Sequence, residues 1–221
     1  MSKRRVVVTG LGIVSPVGST VESAWANVVN GVSGIAPITR FDTTEFPCRF
    51  GGAVKDFQLD KYLSAKEARR MDEFMHYGIA AGVDAMADSG LDLEKVDLDR
   101  VGVITGSGIG GLSTIEVVHN AFLEGNNPRK ITPFFVPSTI INMISGHLSI
   151  RFGLRGPNLG VVTACTTSTH AVGIAMRTIQ YGDADAVLAG GSEMATCVLG
   201  VGGFGQAKAL STRNDAPTEA S

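Results

Sequence analysis

The chain has 221 residues, of which 44% are hydrophobic and 18% charged, with a formal net charge of −2. This composition predicts a globular protein with a sizeable core, and the charge excludes a global attraction to nucleic acid or to a membrane surface. No apolar run is long enough to span a membrane, and three widely spaced cysteines do not suit a disulfide framework or a zinc site. A soluble, cytoplasmic protein is therefore expected.

Periodicity and capping signals predict strands that alternate with helices. The predicted strands cover 5–9, 100–105, 159–164 and 184–189. The predicted helices cover 20–30, after a Ser19–Glu22 capping box, a segment from a Ser64–Glu67 capping box to Gly90, a segment from the 106–111 loop to 124, 138–152 and 166–181. A turn-rich segment over 31–60 has room for short strands. Such alternation indicates an α/β fold with a mostly parallel sheet covered by helices on both faces. The 166–181 helix is apolar nearly all round, which predicts a central position.

The stretch over 161–168, Val-Val-Thr-Ala-Cys-Thr-Thr-Ser, organises the rest of the chain. An apolar strand runs into Cys165, and a helix follows at once. Free backbone N–H groups and the positive end of a helix dipole meet at such a point, and both favour a thiolate nucleophile. Position alone is equally compatible with a small buried core cysteine.

Gly156-Pro157, followed after five residues by Thr163-Ala164-Cys165-Thr166-Thr167, resembles the active-site signature of the β-ketoacyl-acyl-carrier-protein synthases. Further segments match the same family: Arg4-Arg5-Val6-Val7-Val8-Thr9-Gly10-Leu11-Gly12, Gly106-Ser107-Gly108-Ile109-Gly110-Gly111, Pro133-Phe134-Phe135-Val136-Pro137, Gly202-Gly203-Phe204-Gly205 and Ala209-Leu210-Ser211-Thr212-Arg213-Asn214-Asp215. Together they resemble the type II synthases of bacterial fatty acid synthesis over nearly the whole chain. The resemblance implies a thiolase-like fold, in which two similar halves stack as layers.

The family is about twice as long as this chain and carries its two catalytic histidines, a lysine and a Gly/Phe-rich loop in the second half. Residues 1–221 are therefore interpreted as the N-terminal thiolase-like (β-ketoacyl synthase) domain, without the C-terminal half. This half alone is expected to be inactive in condensation. His76, His119, His147 and His170 are interpreted as structural or surface residues, because even His170 lies five positions from Cys165 on the predicted helix, off its face.

The resemblance also implies roles for individual residues. Cys165 would hold the acyl group as a thioester, and malonyl-carrier protein would lose carbon dioxide and condense with it, without a metal or an organic cofactor. Ile109, as a gate, with Phe135 and Phe204 would line the acyl pocket. A basic dock for the acyl- or malonyl-loaded carrier protein would comprise Lys66, Arg69, Arg70, Arg129, Lys130 and Lys208, for which ordinary solvated charge is the alternative. A homodimer is expected.

Two other functions stay open at this point. A non-catalytic dimer partner of the same fold is disfavoured because Cys165 is retained. A dinucleotide-binding oxidoreductase is suggested by Gly10-x-Gly12 after the first predicted strand. That pattern lacks its third glycine, where Ser15 stands, and no second strand ends in an acidic residue at the required distance. The 106–111 loop likewise lacks the Lys-Ser/Thr of a phosphate-binding loop.

Overall fold

The structure, a computed structural model, describes residues 4–220. The helices are α1 (Val21–Val29), α2 (Ala65–Ala68), α3 (Glu73–Asp88), α4 (Leu112–Leu123), α5 (Phe135–Thr139), α6 (Met143–Phe152), α7 (Thr167–Tyr181) and α8 (Val198–Gln206). The strands are β1 (Ile35–Pro37), β2 (Phe50–Gly52), β3 (Val101–Gly106), β4 (Asn158–Val161) and β5 (Ala186–Gly191). Over the described residues, no helix is long and apolar enough to cross a membrane.

A parallel three-stranded sheet in the order β4-β3-β5 forms the centre of the fold, and β1 and β2 form a separate antiparallel pair. Every residue of β3 is buried. Because side chains alternate along a strand, Val103 packs with Phe74 of α3 and Leu148 of α6, whereas Ile104 packs with Ala171 of α7 on the other face. The predicted parallel sheet with helices on both faces is therefore confirmed.

The helix starts follow side-chain caps, with two differences from the prediction. Ser64 and Glu67 form the expected capping box, but it begins only the four-residue α2. The following helix, α3, has its own cap at Asp72, which accepts a hydrogen bond from the Phe74 N–H. For α1 the capping box uses Thr20 and Ser23 rather than Ser19 and Glu22. The side chain that reaches the N3 amide decides the start of a helix, and neighbouring hydroxyl residues compete for that position.

The predicted strand over 5–9 is wrong, because 4–10 have no strand structure. A strand is stable only where its backbone groups find a partner, and none pairs with this segment within 4–220; Val7 and Val8 are 65% and 76% exposed. The segment lies instead along α3, where the Leu11 N–H donates to Asp88 Oδ2. A Cβ added at Gly10 would lie 2.3 Å from the Ala85 carbonyl oxygen, so this glycine serves close packing rather than dinucleotide binding.

Three helical predictions also need correction. The helix predicted over 138–152 is two helices, α5 and α6, because Ile140 adopts an extended conformation between them. The helix α7 is not central within the described chain: it packs on the sheet through small residues such as Ala171, while Val172 on its outer side is 50% exposed. The glycine-rich α8 was not predicted, because glycine is a poor helix former and obscures the period.

Asp72 is a buried joint between helices. Its side chain is 2% exposed, yet its carboxylate accepts three hydrogen bonds: from the Phe74 N–H at the start of α3, from the Ser113 hydroxyl at 2.7 Å and from the Thr114 N–H at 2.9 Å, both in the first turn of α4. One carboxylate thereby caps α3 and α4 together, and both helix dipoles favour its negative charge.

We expect Asp72→Asn to lower the free energy of unfolding by about 1–3 kcal/mol, because the amide NH₂ group cannot accept from the amides it would face and leaves a buried donor unsatisfied. Urea denaturation of the protein at its natural length measures the change. Asp97→Asn is the matched control: Asp97 caps a single exposed turn through the Asp99 N–H, where Asn is an equally good cap. Equal losses of unfolding free energy in the two variants would contradict the role of Asp72 in joining α3 and α4.

Candidate active site

Cys165 lies in a tight turn between β4 and α7. The strand ends at Val161, a 3-10 turn covers Ala164–Thr166, and α7 begins at Thr167. Ala164 has a φ of +52°, a left-handed conformation that is strained for residues other than glycine and that is enriched at functional sites. Cys165 is exposed, whereas Cys48 and Cys197 are buried. The predicted position at a strand end and a helix start is confirmed.

Hydrogen bonds from threonine side chains hold this turn. The buried Thr167 hydroxyl donates to the Ala164 carbonyl at 2.7 Å and accepts from the Thr163 N–H at 3.0 Å. The Thr166 hydroxyl donates to the Thr163 carbonyl at 2.6 Å. Among the described residues no side chain caps the first turn of α7. The Thr166 and Thr167 N–H groups donate instead to the Thr163 and Ala164 carbonyls, which closes the turn around Cys165.

The 106–111 loop packs against this turn. It follows β3, which is the neighbour of β4 in the sheet, so both loops leave the same edge. A Cβ added at Gly108 would lie 3.2 Å from the Ala164 carbonyl oxygen and 2.9 Å from Glu193 Oε2, so a larger residue here would require Glu193 or the Ala164 turn to shift. Glu193 accepts from the Ser107 hydroxyl and from the Ile109 N–H, both at 2.8 Å. Sequence reasoning missed Glu193, although its place just beyond β5 puts it at the same sheet edge.

The three residues predicted to line the acyl pocket differ in how close their elements lie to the Cys165 turn. Ile109 is 42% exposed on the loop that touches the Cys165 turn. Phe135 begins α5, whose Thr139 carbonyl accepts from the Gly111 N–H at 3.0 Å, so α5 borders the same loop. Phe204 lies half-exposed on α8, which packs on α4. The geometry thus brings the loop with Ile109 to the cysteine turn and α5 to that loop, and it leaves Phe204 on the separate helix α8.

The six predicted docking residues are all exposed and lie on separate segments. Lys66, Arg69 and Arg70 lie on or directly after α2. The Arg70 guanidinium is 4.3 Å from the centre of the Phe134 ring, a cation–π contact next to Phe135. The other members are Arg129 and Lys130, in the 3-10 turn Pro128–Lys130, and Lys208, which lines a cavity of about 450 Å³ with Pro47, Leu210 and Thr212.

The histidines differ in their surroundings. His76 is buried, with Nε2 3.0 Å from the Ala68 carbonyl oxygen, and burial lowers the pKa of His147. His119 is exposed on α4. His170 Nδ1 is 2.7 Å from the Thr163 hydroxyl, so this histidine supports the turn before Cys165.

The family model for the "Beta-ketoacyl synthase, N-terminal domain" matches residues 3–221. The chain belongs to the β-ketoacyl synthase family. It is 60% identical over 221 residues to the 3-oxoacyl-[acyl-carrier-protein] synthase 2 of Vibrio cholerae and 50% identical to that of Coxiella burnetii. Each match covers 100% of this chain and 53% of the relative. The chain therefore spans about half the length of the curated relatives it matches.

Solved ketosynthase structures share the fold. An ishigamide ketosynthase/chain length factor superposes with a TM-score of 0.84 at 29% identity, over 93% of this chain and 51% of that chain. A type II PKS ketosynthase in complex with its acyl-carrier protein, bound to the hexaketide, gives a TM-score of 0.78 at 27% identity, over 95% of this chain and 58% of that chain. The expected thiolase-like fold is confirmed, and family membership removes the oxidoreductase alternative.

The surroundings of the three cysteines of this β-ketoacyl synthase domain predict different reactivities. Burial raises the pKa of the Cys197 thiol to about 11, so only about one part in 10⁴ of it is thiolate at pH 7. Cys48 is 3% exposed, and its thiol donates to the Phe50 carbonyl. Cys165 is exposed at the start of a helix.

We therefore expect iodoacetamide to alkylate Cys165 first in the folded protein at neutral pH, because Cys165 is accessible to the reagent whereas Cys48 and Cys197 are buried. Competitive labelling with peptide mapping measures the three rates. In urea the three rates should approach one another, which controls for intrinsic reactivity. Faster labelling of Cys48 or Cys197 in the folded protein would contradict the assignment of Cys165 as the nucleophile.

Proposed function

We propose that the protein to which this chain belongs is a 3-oxoacyl-[acyl-carrier-protein] synthase of bacterial fatty acid synthesis. The proposal rests on one observation above all: an exposed cysteine on a strained turn at a helix start, in a chain 60% identical to a 3-oxoacyl-[acyl-carrier-protein] synthase 2. In this proposal the chain is the N-terminal domain of the enzyme, and the remaining catalytic groups lie in a C-terminal half.

The proposed reaction has two stages at Cys165. In the first, its sulfur attacks the acyl thioester, a new thioester forms on Cys165, and the carrier-protein thiol leaves with the proton. In the second, the malonyl thioester loses carbon dioxide, and the carbanion forms a carbon–carbon bond to the acyl carbon while the Cys165 sulfur leaves. The backbone N–H of Cys165 is proposed as one donor to the thioester oxyanion, and the other donor is proposed to lie in the C-terminal half.

The acyl chain is proposed to extend from Cys165 past Ile109 and along Phe135 and Phe204. The contact between the 106–111 loop and the Cys165 turn supports Ile109 as the first of these side chains. The hydrogen bond between Gly111 and Thr139 supports Phe135 as a neighbouring wall. Support for Phe204 is limited to its half-exposed position on α8, which packs on α4.

Assembly is part of the proposal. We propose a homodimer, for which the edge strand β4 supplies support. Its outer side has no strand partner among the described residues, and Leu159 within it and Val162 directly after it are exposed. Light scattering on the protein at its natural length measures the mass. We also propose a cytoplasmic location, following the resemblance to the synthases of bacterial fatty acid synthesis.

We expect the protein at its natural length to make β-ketoacyl-carrier protein from acyl- and malonyl-carrier protein, and Cys165→Ala to abolish this activity together with the acyl adduct seen by mass spectrometry. Cys48→Ala is the matched control, because it removes a thiol away from the Cys165 turn and should retain both. A wild-type protein that carries an acyl group on another residue, or on none, would argue for the non-catalytic partner instead.

The basic residues on and after α2 are proposed to dock the acyl carrier protein. Lys66, Arg69 and Arg70 are exposed within one short segment, and the Arg70–Phe134 contact ties that segment to the proposed pocket wall. Exposed charges at a rim steer association more than they fix affinity. Arg129, Lys130 and Lys208 are proposed to extend the same dock from neighbouring loops.

Charge reversal of Lys66, Arg69 and Arg70 to Glu should slow association with acyl-carrier protein by about tenfold or more at low salt, with a smaller effect at high salt, because screening weakens steering. Stopped-flow binding measures the rate. Acylation by a small acyl thioester should be nearly unchanged. Lys95→Glu, at an exposed side chain paired with Asp92, is compared with the single reversal Lys66→Glu, because each changes the net charge by the same amount. Equal losses with both acyl donors would mean that the three residues serve folding.

A further inference from the structure

Glu193 is held rigidly at the edge of the sheet by its two neighbours. The Ser192 N–H donates to the Gly106 carbonyl at 3.0 Å, and the Ser192 hydroxyl donates to the Phe74 carbonyl of α3. Met194 on the other side is buried in the main core. The backbone of Glu193 is thus fixed from both directions, while its side chain points out of the core.

The Glu193 carboxylate organises the polar groups of the 106–111 loop. Oε1 accepts from the buried Ser107 hydroxyl and Oε2 accepts from the Ile109 N–H, both at 2.8 Å. The Ser107 oxygen in turn accepts from the Gly110 N–H at 3.1 Å. Gly110 has a φ of +81°, so the loop reverses direction just after Ile109. Two links, one on each carboxylate oxygen, therefore fix the loop on either side of Gly108.

The same carboxylate also packs against the loop at Gly108, next to the Cys165 turn. Gly108 lies between Glu193 and the Ala164 carbonyl, and an added Cβ would be 2.9 Å from Oε2 and 3.2 Å from that carbonyl oxygen. The residues next to these in the chain are Ile109 and Cys165. We expect a loop held in this way to restrict the Ile109 side chain to fewer positions beside the Cys165 turn.

We propose that Glu193 is a positioning residue that fixes Ile109 beside Cys165 and thereby narrows the range of acyl lengths that Cys165 accepts. This inference rests on the proposed acyl transfer to Cys165. Glu193 acts through hydrogen bonds to the loop and does not touch the acyl chain. Its role predicts that geometry, rather than negative charge, matters at this position.

Glutamine tests that distinction. In Glu193→Gln the amide oxygen can accept from the Ile109 N–H, and the amide NH₂ group can donate to the Ser107 oxygen, so both links survive without the charge. Glu193→Ala removes both links and frees the loop. Ser107→Ala removes the link at Oε1 together with the hydrogen bond from the Gly110 N–H, and it leaves the carboxylate and its link to the Ile109 N–H in place.

The experiment uses the protein at its natural length. It measures the rate of Cys165 acylation by carrier proteins loaded with acyl groups of about six to sixteen carbons. Glu193→Ala should reduce the ratio between the best and the worst acyl length by about tenfold, since shape discrimination in an apolar pocket is of this order. Ser107→Ala should reduce it less, and Glu193→Gln should keep the wild-type ratio. Glu94→Ala, at an exposed glutamate that precedes the opposite end of β3, is the matched control.

Iodoacetamide labelling of Cys165 accompanies each variant and reports on the cysteine turn itself. Supporting results are a flattened length profile in Glu193→Ala, rescue by Gln, and labelling rates within about twofold of wild type. Three results overturn this inference without affecting the proposed function. They are a wild-type length profile in Glu193→Ala, a length profile in Glu193→Gln as flat as that of Glu193→Ala, and a uniform loss of acylation rate at all acyl lengths with altered labelling of Cys165. A wild-type protein that takes no acyl group from any donor overturns the proposed function and the inference with it.

Discussion

The left-handed conformation of Ala164 is the constraint on which the site depends. An L-residue with φ near +52° is strained by an amount on the order of 1–3 kcal/mol, which the surrounding structure must offset. The Thr167 hydroxyl does so from both sides, since it donates to the Ala164 carbonyl and accepts from the Thr163 N–H. The chain therefore turns sharply after β4, and Cys165 is exposed just before α7 instead of continuing the strand.

The parallel sheet explains how residues distant in sequence meet at this turn. Strands β3, β4 and β5 point the same way, so the segments that follow them emerge at one edge. After β3 comes the loop with Ile109, after β4 the turn with Cys165, and after β5 the segment with Glu193. At Gly108 the loop with Ile109 is thus packed against both the Ala164 carbonyl and the Glu193 carboxylate.

Sequence reasoning succeeded where local signals decide the structure and failed where distant partners do. Strand β3 was predicted to within a residue, because a β-branched run before a glycine-rich loop is unambiguous. The prediction of a strand over 5–9 was wrong because strand pairing depends on a partner elsewhere in the chain. The prediction that the 166–181 helix is central was wrong, as the exposure of Val172 shows, because a sequence period identifies apolar residues but not what covers them. Cys165 was located correctly, and its role stays a prediction. Glu193 was missed because a glutamate in a sequence resembles any solvated charge.

Asp72 links the proposed docking surface to the site. Its carboxylate fixes the start of α4, which follows the loop with Ile109, and its N–H donates to the Ser138 carbonyl of α5 at 3.3 Å. Two residues earlier, Arg70 stacks on Phe134 beside the proposed pocket wall. One short segment therefore carries surface cations and also anchors two helices that border the loop with Ile109. Because that anchor is a buried, fully hydrogen-bonded carboxylate, the separation between the basic surface and the site is set by the core rather than by flexible side chains.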